Sequence, residues 1–207
     1  MSPVKNIIFD LGGVIMNIDF KRTEHAFAAL GFPDFAEYMT QYHITPFFAA
    51  FELGEIDTAA FISGVQQIAA KPISGNNIKE AWNALLLDFP PENIALLEKI
   101  KNQYRIFLLS NTNALHHEAF QQTLYRQTGK KLEDIFEKTY FSHLVHLRKP
   151  HADIYQHVLD ENKLDPAETL FIDDTASNFS GAEETGIQTF HLKKPMTVQE
   201  IPLFKEN

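Results

Sequence analysis

IIFDLGG, residues 7–13, runs three apolar side chains into a single carboxylate, Asp10, and then into two glycines. The same grammar returns twice. RIFLLSNTN (105–113) carries Ile106–Leu109 into Ser110, Asn111, Thr112 and Asn113, and TLFIDDTASN (169–178) carries Leu170–Ile172 into Asp173 and Asp174. Short continuous apolar runs suit strands buried on both faces, as in a parallel sheet covered by helices. Helix-like segments lie between them, at Asn93–Asn102, Ala114–Gln127, Ala152–Lys163 and Ser177–Glu184. Strands alternating with helices build right-handed βαβ units, so the fold class is α/β with a parallel sheet.

Ligands of such a sheet bind outside the carboxyl ends of its strands. Asp10, Ser110 and the Asp173–Asp174 pair each stand at that end of their own strand, and parallel packing gathers them in one crevice. The competing reading is structural: Asp and Ser also start turns and cap helices, and Asp173 and Asp174 precede a helix beginning near Thr175.

Between Phe20 and about Pro91 the texture changes. This stretch is rich in Ala and Phe, has helix-like segments at Arg22–Leu30 and Thr58–Ala70, and shows no comparable strand. Gly31, Gly54 and Lys71-Pro72 are natural helix ends within it. The economical division is a sheet core at 1–19 and 92–207 with a helical module, 20–91, inserted after the first strand. No repeat or low-complexity segment interrupts this plan, and the tail after Lys193 reads as irregular.

Composition bounds the partners. The 207-residue chain is 44% hydrophobic, and a chain of this length buries roughly 70% of its unfolded surface. It has no cysteine, which removes disulfides, thiolate metal sites and cysteine nucleophiles. The first apolar run is too short and too soon interrupted by Asp10 for a signal peptide or membrane span, so the expectation is a soluble, cytoplasmic protein without membrane contact. Lys and Arg number 18 against 27 Asp and Glu, a net charge of −9 without a long basic block, which disfavours nucleic acid. A small anionic substrate remains compatible, held by local cations, dipoles or a metal. Oligomeric state is not legible.

The crevice residues have a common chemistry. Asp10, Asp173 and Asp174 make a hard, all-oxygen site suited to Mg²⁺, and carboxylates forced together need a cation to stay ionised. Gly12 and Gly13 let backbone approach a ligand closely. Ser110 and Asn111 offer neutral donors, and Lys149, in HLRKPHADIY (146–155), supplies a point positive charge. An Asp nucleophile, a divalent cation, short donors and one lysine match phosphoryl transfer.

With these four stretches in order, the chain resembles the haloacid dehalogenase-like hydrolase superfamily over nearly its whole length: FDLGG with Asp10, LLSNTN with Ser110, RKP with Lys149, and FIDD with Asp173 and Asp174. The resemblance implies a Rossmann-like core, a helical cap inserted after the first motif, and Asp10 as nucleophile. It also implies Mg²⁺ held by Asp10, the Gly12 carbonyl, Asp173 and Asp174, with Asp174 the more direct ligand. Ser110, Asn111 and Lys149 would handle the phosphate. FELGEID, WNALLLDFP and LLSNTNALH are similar to the branch of sugar-phosphate phosphatases, which points to a small phosphorylated metabolite.

One position departs from the pattern. Most phosphatases of the superfamily carry a second aspartate two residues after the nucleophile, as general acid and base; this chain has Gly12. Two alternatives stay open on that account, a metal-free hydrolytic 2-haloacid dehalogenase and a non-catalytic phosphate-ligand-binding protein. Asn178 is expected to orient the metal aspartates. Adjacent histidines point to different sides of a helix, so His117 is expected on the helix surface, while His116 could reach the crevice or serve as a proton donor; His143 and His146 read as strand residues. The phenylalanines of Pro46–Phe51 read as core, and Asp19, Arg22 and Glu55 as specificity candidates at the cap entrance.

Overall fold

The computed structural model describes residues 3–32, 35 and 45–205. Its sheet comprises β1 (Asn6–Phe9), β2 (Arg105–Ser110), β3 (Lys138–Phe141), β4 (Thr169–Asp173) and β5 (Gln188–His191), in the order β3-β2-β1-β4-β5. Every pairing is parallel, with Phe9 opposite Leu108 on one side and Ile172 on the other. The strand of the first motif is therefore central, flanked by the strands that deliver Ser110 and Asp173.

Among the described residues, the first four helices after β1 are α1 (Phe20–Ala29), α2 (Pro46–Glu52), α3 (Thr58–Ile68) and α4 (Gly75–Asn83). α5 (Pro91–Ile100) leads into β2, followed by α6 (Ala114–Thr128), α7 (Ser142–Val145), α8 (Ala152–Asn162), α9 (Phe179–Glu184) and α10 (Pro202–Lys205). Local chemistry sets several ends. Asp19, Asp57 and Asn113 accept the first free N–H groups of α1, α3 and α6 through their side chains, each cap stabilising by about 1 kcal/mol. Gly129 closes α6 in the left-handed region, φ 71°, where glycine alone avoids a Cβ penalty.

Alternating side chains split the sheet between two apolar layers. Ile7, Phe9, Ile106, Leu108 and Ile172 pack with Leu97 of α5 and Phe120 of α6, whereas Ile8, Phe107, Leu109 and Phe171 pack with Tyr155 and Val158 of α8 and Ala182 of α9. A third cluster fills the space among α1–α4: Phe27, Phe48, Phe51, Phe61 and Trp82, joined by Leu115 of α6. Phe51 stacks on Phe61 at 4.2 Å between ring centroids. The phenylalanines of Pro46–Phe51 thus belong to packing, and none of them lines the cavity described below.

Several expectations need correction. His143 lies in α7, not in a strand, and His146 closes that helix at φ 58°; the strand is the preceding KTYF. The tail after Lys193 is not irregular: a 3₁₀ turn (Val198–Glu200) and α10 bury Val198, Ile201 and Phe204 in the first apolar layer. Ser177–Glu184 divides into a 3₁₀ turn at Ala176–Asn178 and α9. β3 and β5 escaped notice because edge strands are short and half polar, which hides the apolar run. No helix among the described residues is long and apolar enough to cross a membrane.

Candidate active site

Asp10 follows β1 directly, and its N–H donates to Ile172 O at 2.9 Å, extending the ladder by one residue beyond the strand. The carboxylate therefore leaves the sheet at its carboxyl edge, beside Asp173 at the end of β4 and Ser110 at the end of β2. Leu11–Met16 then folds back, with Ile15 and Met16 N–H both donating to Leu11 O at 2.9 Å. Gly13 has φ +79°, and a Cβ there would stand 2.3 Å from Asp174 Oδ2. Both the backbone conformation and the space require glycine.

Lys149 occupies the middle. Its Nζ donates to Asp10 Oδ1 at 2.6 Å and to Asp173 Oδ2 at 2.7 Å, with its side chain 2% exposed. Asn111 fixes this lysine: Lys149 N–H donates to Asn111 Oδ1, and Asn111 Nδ2–H donates to Lys149 O, both at 3.0 Å. Both ends of the Asn111 amide thus hold the Lys149 backbone, and the second Nδ2–H is left for a ligand in the cavity that Asn111 lines. Asp173 is fully buried, taking the Thr175 N–H on Oδ1 at 2.7 Å and Asn178 Nδ2–H on Oδ2 at 2.9 Å. Asn178 thus orients an aspartate, as its place in the sequence suggests. Asp174 is less buried and keeps the freer carboxylate, with Oδ1 accepting from Thr175 Oγ1 at 3.1 Å.

Oxygens of Asp10, Asp173 and Asp174 lie within 4.8 Å of one another. Burial pushes the Asp10 carboxyl up to about 7, Lys149 pulls it back, and Asp173 and Asp174 raise it further. Burial, then Asp173, also raises Asp174. Lys149 is held above its ordinary value because the carboxylates of Asp10 and Asp173 overcome its own desolvation. Three carboxylates against one ammonium leave a formal charge of −2, which a divalent cation neutralises. The oxygen-only donor set fits Mg²⁺.

A cavity of about 380 Å³ opens above these groups. Asp10, Gly12, Ser110, Asn111, Lys149 and Asp174 line it together with the apolar Ile18, Phe20, Leu85 and Leu86. Asp19, Arg22 and Glu55 are absent from the lining; Asp19 instead caps α1. Two charged lining residues escaped sequence reasoning, Glu52 and Arg148. Both lie inside quoted motifs, FELGEID and RKP, and only their positions in space single them out.

His116 also lines the cavity, but the proton-donor expectation fails. Its Nδ1 lies 3.1 Å from Asn113 Nδ2, its Nε2 lies 3.0 Å from Trp82 O, and its ring stacks on the Trp82 indole. The Asn113 amide can only donate to Nδ1, so the ring proton sits on Nε2 and is taken by Trp82 O. Burial lowers the imidazole to about 4, against the Trp82 carbonyl. A neutral ring with both nitrogens engaged ties α4 to α6. His117 is half-buried against Phe141, 4.2 Å between ring centroids.

This fold and acidic crevice coincide with a known class. The haloacid dehalogenase-like hydrolase family model matches residues 4–186, and the chain belongs to that family: it is a hydrolase. It is 30% identical over 187 residues to a D-ribitol-5-phosphate phosphatase of Bacteroides thetaiotaomicron, spanning 90% of this chain and 91% of that protein. A crystal structure of a mutant HAD family enzyme from the same organism, in complex with magnesium and inorganic phosphate, matches with a TM-score of 0.88 and 35% identity, over 93% of this chain and 95% of that one. The L-2-haloacid dehalogenase of Xanthobacter autotrophicus matches at a TM-score of 0.57 and 21% identity, over 91% of this chain and 77% of that one, a likeness of fold alone.

Proposed function

We propose that the chain is a Mg²⁺-dependent phosphohydrolase of a small phosphomonoester, a sugar or polyol phosphate, acting in the cytoplasm through an aspartyl-phosphate on Asp10. The observation that carries this reading is the convergence of Asp10, Asp173, Asp174 and Lys149 at one cavity, which Asp10, Lys149 and Asp174 line, with a formal charge of −2 that a dication offsets. The magnesium and phosphate bound by the structural relative and the phosphatase activity named for the sequence relative support it.

In this reading Asp10 Oδ attacks phosphorus in line, the P–O bond to the alcohol breaks, and water then hydrolyses the acyl phosphate to release orthophosphate and regenerate Asp10. Asp10, the Gly12 carbonyl and Asp174 would hold Mg²⁺, with Asp173 behind them, and the cation would supply neutralisation of the carboxylates and polarisation of the phosphoryl oxygens. Ser110 and Lys149 place and neutralise the phosphoryl group, while Asn111 keeps Lys149 in position. Residues 20–91 act as a cap over a core of 1–19 and 92–207, excluding water and presenting the wall that meets the leaving group. The metal-free dehalogenase alternative has the shared fold behind it but offers no use for three converging carboxylates.

Phosphate release from a panel of sugar, polyol, nucleotide and alkyl phosphates, with Mg²⁺ and after chelation, tests the proposal. Turnover that survives chelation, or chloride release from a 2-haloacid without phosphatase activity, would overturn it.

A further inference from the structure

Among the described residues, Glu52 and Arg148 are the charged lining residues of the cavity outside the Asp10, Lys149 and Asp174 group. Met16, Ile18, Phe20, Leu85 and Leu86 are apolar; Glu52 is the last residue of α2, and Arg148 faces it. Glu52 is 8% exposed. Its Oε2 stands 3.1 Å from an Arg148 terminal nitrogen, a charge contact without hydrogen-bond alignment. Among the described residues, neither Glu52 Oε2 nor Arg148 Nε has a hydrogen-bond partner.

This carboxylate is preset. Glu52 O accepts from Ser142 Oγ at 2.7 Å, and Leu53 O lies 2.7 Å from His146 Nδ1. Gly54, at φ +68°, comes so near α7 that a Cβ would stand 2.2 Å from His143 O. Three consecutive residues therefore pin the end of α2 to the core. A long side chain on such an anchor loses little further freedom when it binds a ligand.

A buried carboxylate oxygen and a guanidinium N–H left without hydrogen bonds are costly; both atoms are closed to the cavity, so a ligand engages the pair through the other polar atoms of these two side chains. A hydroxyl does so in both directions, donating its O–H to Glu52 and accepting N–H from Arg148. Phosphate cannot, because Glu52 repels it. The surrounding apolar wall suits the C–H faces of the same ligand. Burial raises the Glu52 carboxyl while Arg148 and Lys149 oppose the rise, in keeping with a charge short of donors.

We propose that Glu52 and Arg148 form a hydroxyl-reading clamp that selects phosphomonoesters of polyhydroxylated leaving groups, polyols or sugars, over alkyl phosphates of equal length. The inference rests on the phosphatase reading and names the residues that set its substrate class. A site built to bond a hydroxyl discriminates strongly against the analogue that lacks it, since its polar groups are then left unpaired.

The test separates recognition from turnover. In a D10N background with Mg²⁺, calorimetry measures binding of ribitol 5-phosphate, pentyl phosphate and orthophosphate. Adding E52L, or E52L together with R148M to remove both charges, is expected to cut the preference for ribitol 5-phosphate over pentyl phosphate by about 10- to 150-fold, the range for one hydrogen bond to a charged group. The milder E52Q, which keeps the shape and one acceptor, should lose less. If the preference is unchanged while orthophosphate still binds, the clamp is wrong. The clamp is also wrong if all three ligands weaken in proportion, which would place Glu52 in the phosphate site or in the fold. Failure of D10N to bind orthophosphate at all, together with no turnover by the wild type, overturns the phosphatase reading itself.

Discussion

Gly12→Asp would place a carboxyl two residues after the proposed nucleophile, and a Cβ at that position meets only side-chain atoms of Ile18. Gly12 does not use the left-handed backbone region, and a Cβ there meets Ile18 Cδ1 at 2.9 Å, with the other Ile18 contacts at 3.6 and 3.8 Å. Only the tip of a flexible side chain must give, a cost of about 1 kcal/mol. Gly12 is half-buried, and repulsion from the neighbouring carboxylates favours the protonated form of an acid there while a bound cation opposes it. General acid catalysis is typically worth about 10²- to 10⁴-fold. That gain belongs to leaving groups that need a proton, so alkyl phosphates should accelerate by about 10²-fold or more, while p-nitrophenyl phosphate, whose phenolate leaves unaided, should change little. The assay is single-turnover phosphate release for both substrates at pH 6.5 with saturating Mg²⁺, after thermal melts and calorimetry show fold and metal affinity intact. An unchanged alkyl-to-aryl rate ratio under those conditions would refute the reasoning and show that the wild type already has a proton donor. His116 is not that donor, because both of its ring nitrogens are engaged.

Asp10→Asn should reduce turnover to the uncatalysed background with the fold retained, since the amide is isosteric but a poor nucleophile; substantial phosphate release by protein checked for deamidation would exclude the covalent step. Asp174→Ala should lower Mg²⁺ affinity and rate together, as titration calorimetry reads directly. Gly13→Ala should do the same without replacing a ligand residue, because the Cβ would stand 2.3 Å from Asp174 Oδ2 at a backbone φ of +79° and displace that carboxylate; unaltered Mg²⁺ affinity in either variant would contradict the metal assignment. His116 is held at about 4, below its ordinary 6.5, so its stabilising contribution is complete above about pH 6.5 and disappears as pH falls toward 4, a difference of about 3 kcal/mol. Urea denaturation at pH 7.5 and 4.5 should therefore show a smaller acid loss in His116→Gln than in the wild type, with the remainder including His143, which burial also lowers to about 4; equal losses would show that His116 charges freely.

The order of the motifs was legible because each is local. A buried parallel strand must be a continuous apolar run, and the polar residues that end it must lie at the carboxyl edge of the sheet, so IIFD, FLLSN and FIDD announced both the sheet and the crevice. Asp10, Asp173, Asp174 and Lys149 came together for the same reason: each closes or follows an element whose direction in the sheet is set by connection handedness. The edge strands β3 and β5 carry mixed polarity and gave no comparable signal. What side chains do with their hydrogen bonds was beyond the sequence. That the Asn111 amide holds the Lys149 backbone could not be read along the chain, and His116 stood as an acid until Trp82 and Asn113 occupied its nitrogens. Glu52 was one acid among many in FELGEID, next to a candidate, Glu55, that does not reach the cavity. Which acid faces Arg148 depends on how α2 docks on α7, a contact between residues 90 positions apart. Strand periodicity is written along the chain and can be read there, whereas the partner of a buried polar group is chosen by packing between distant segments, and only the assembled tertiary structure contains that choice.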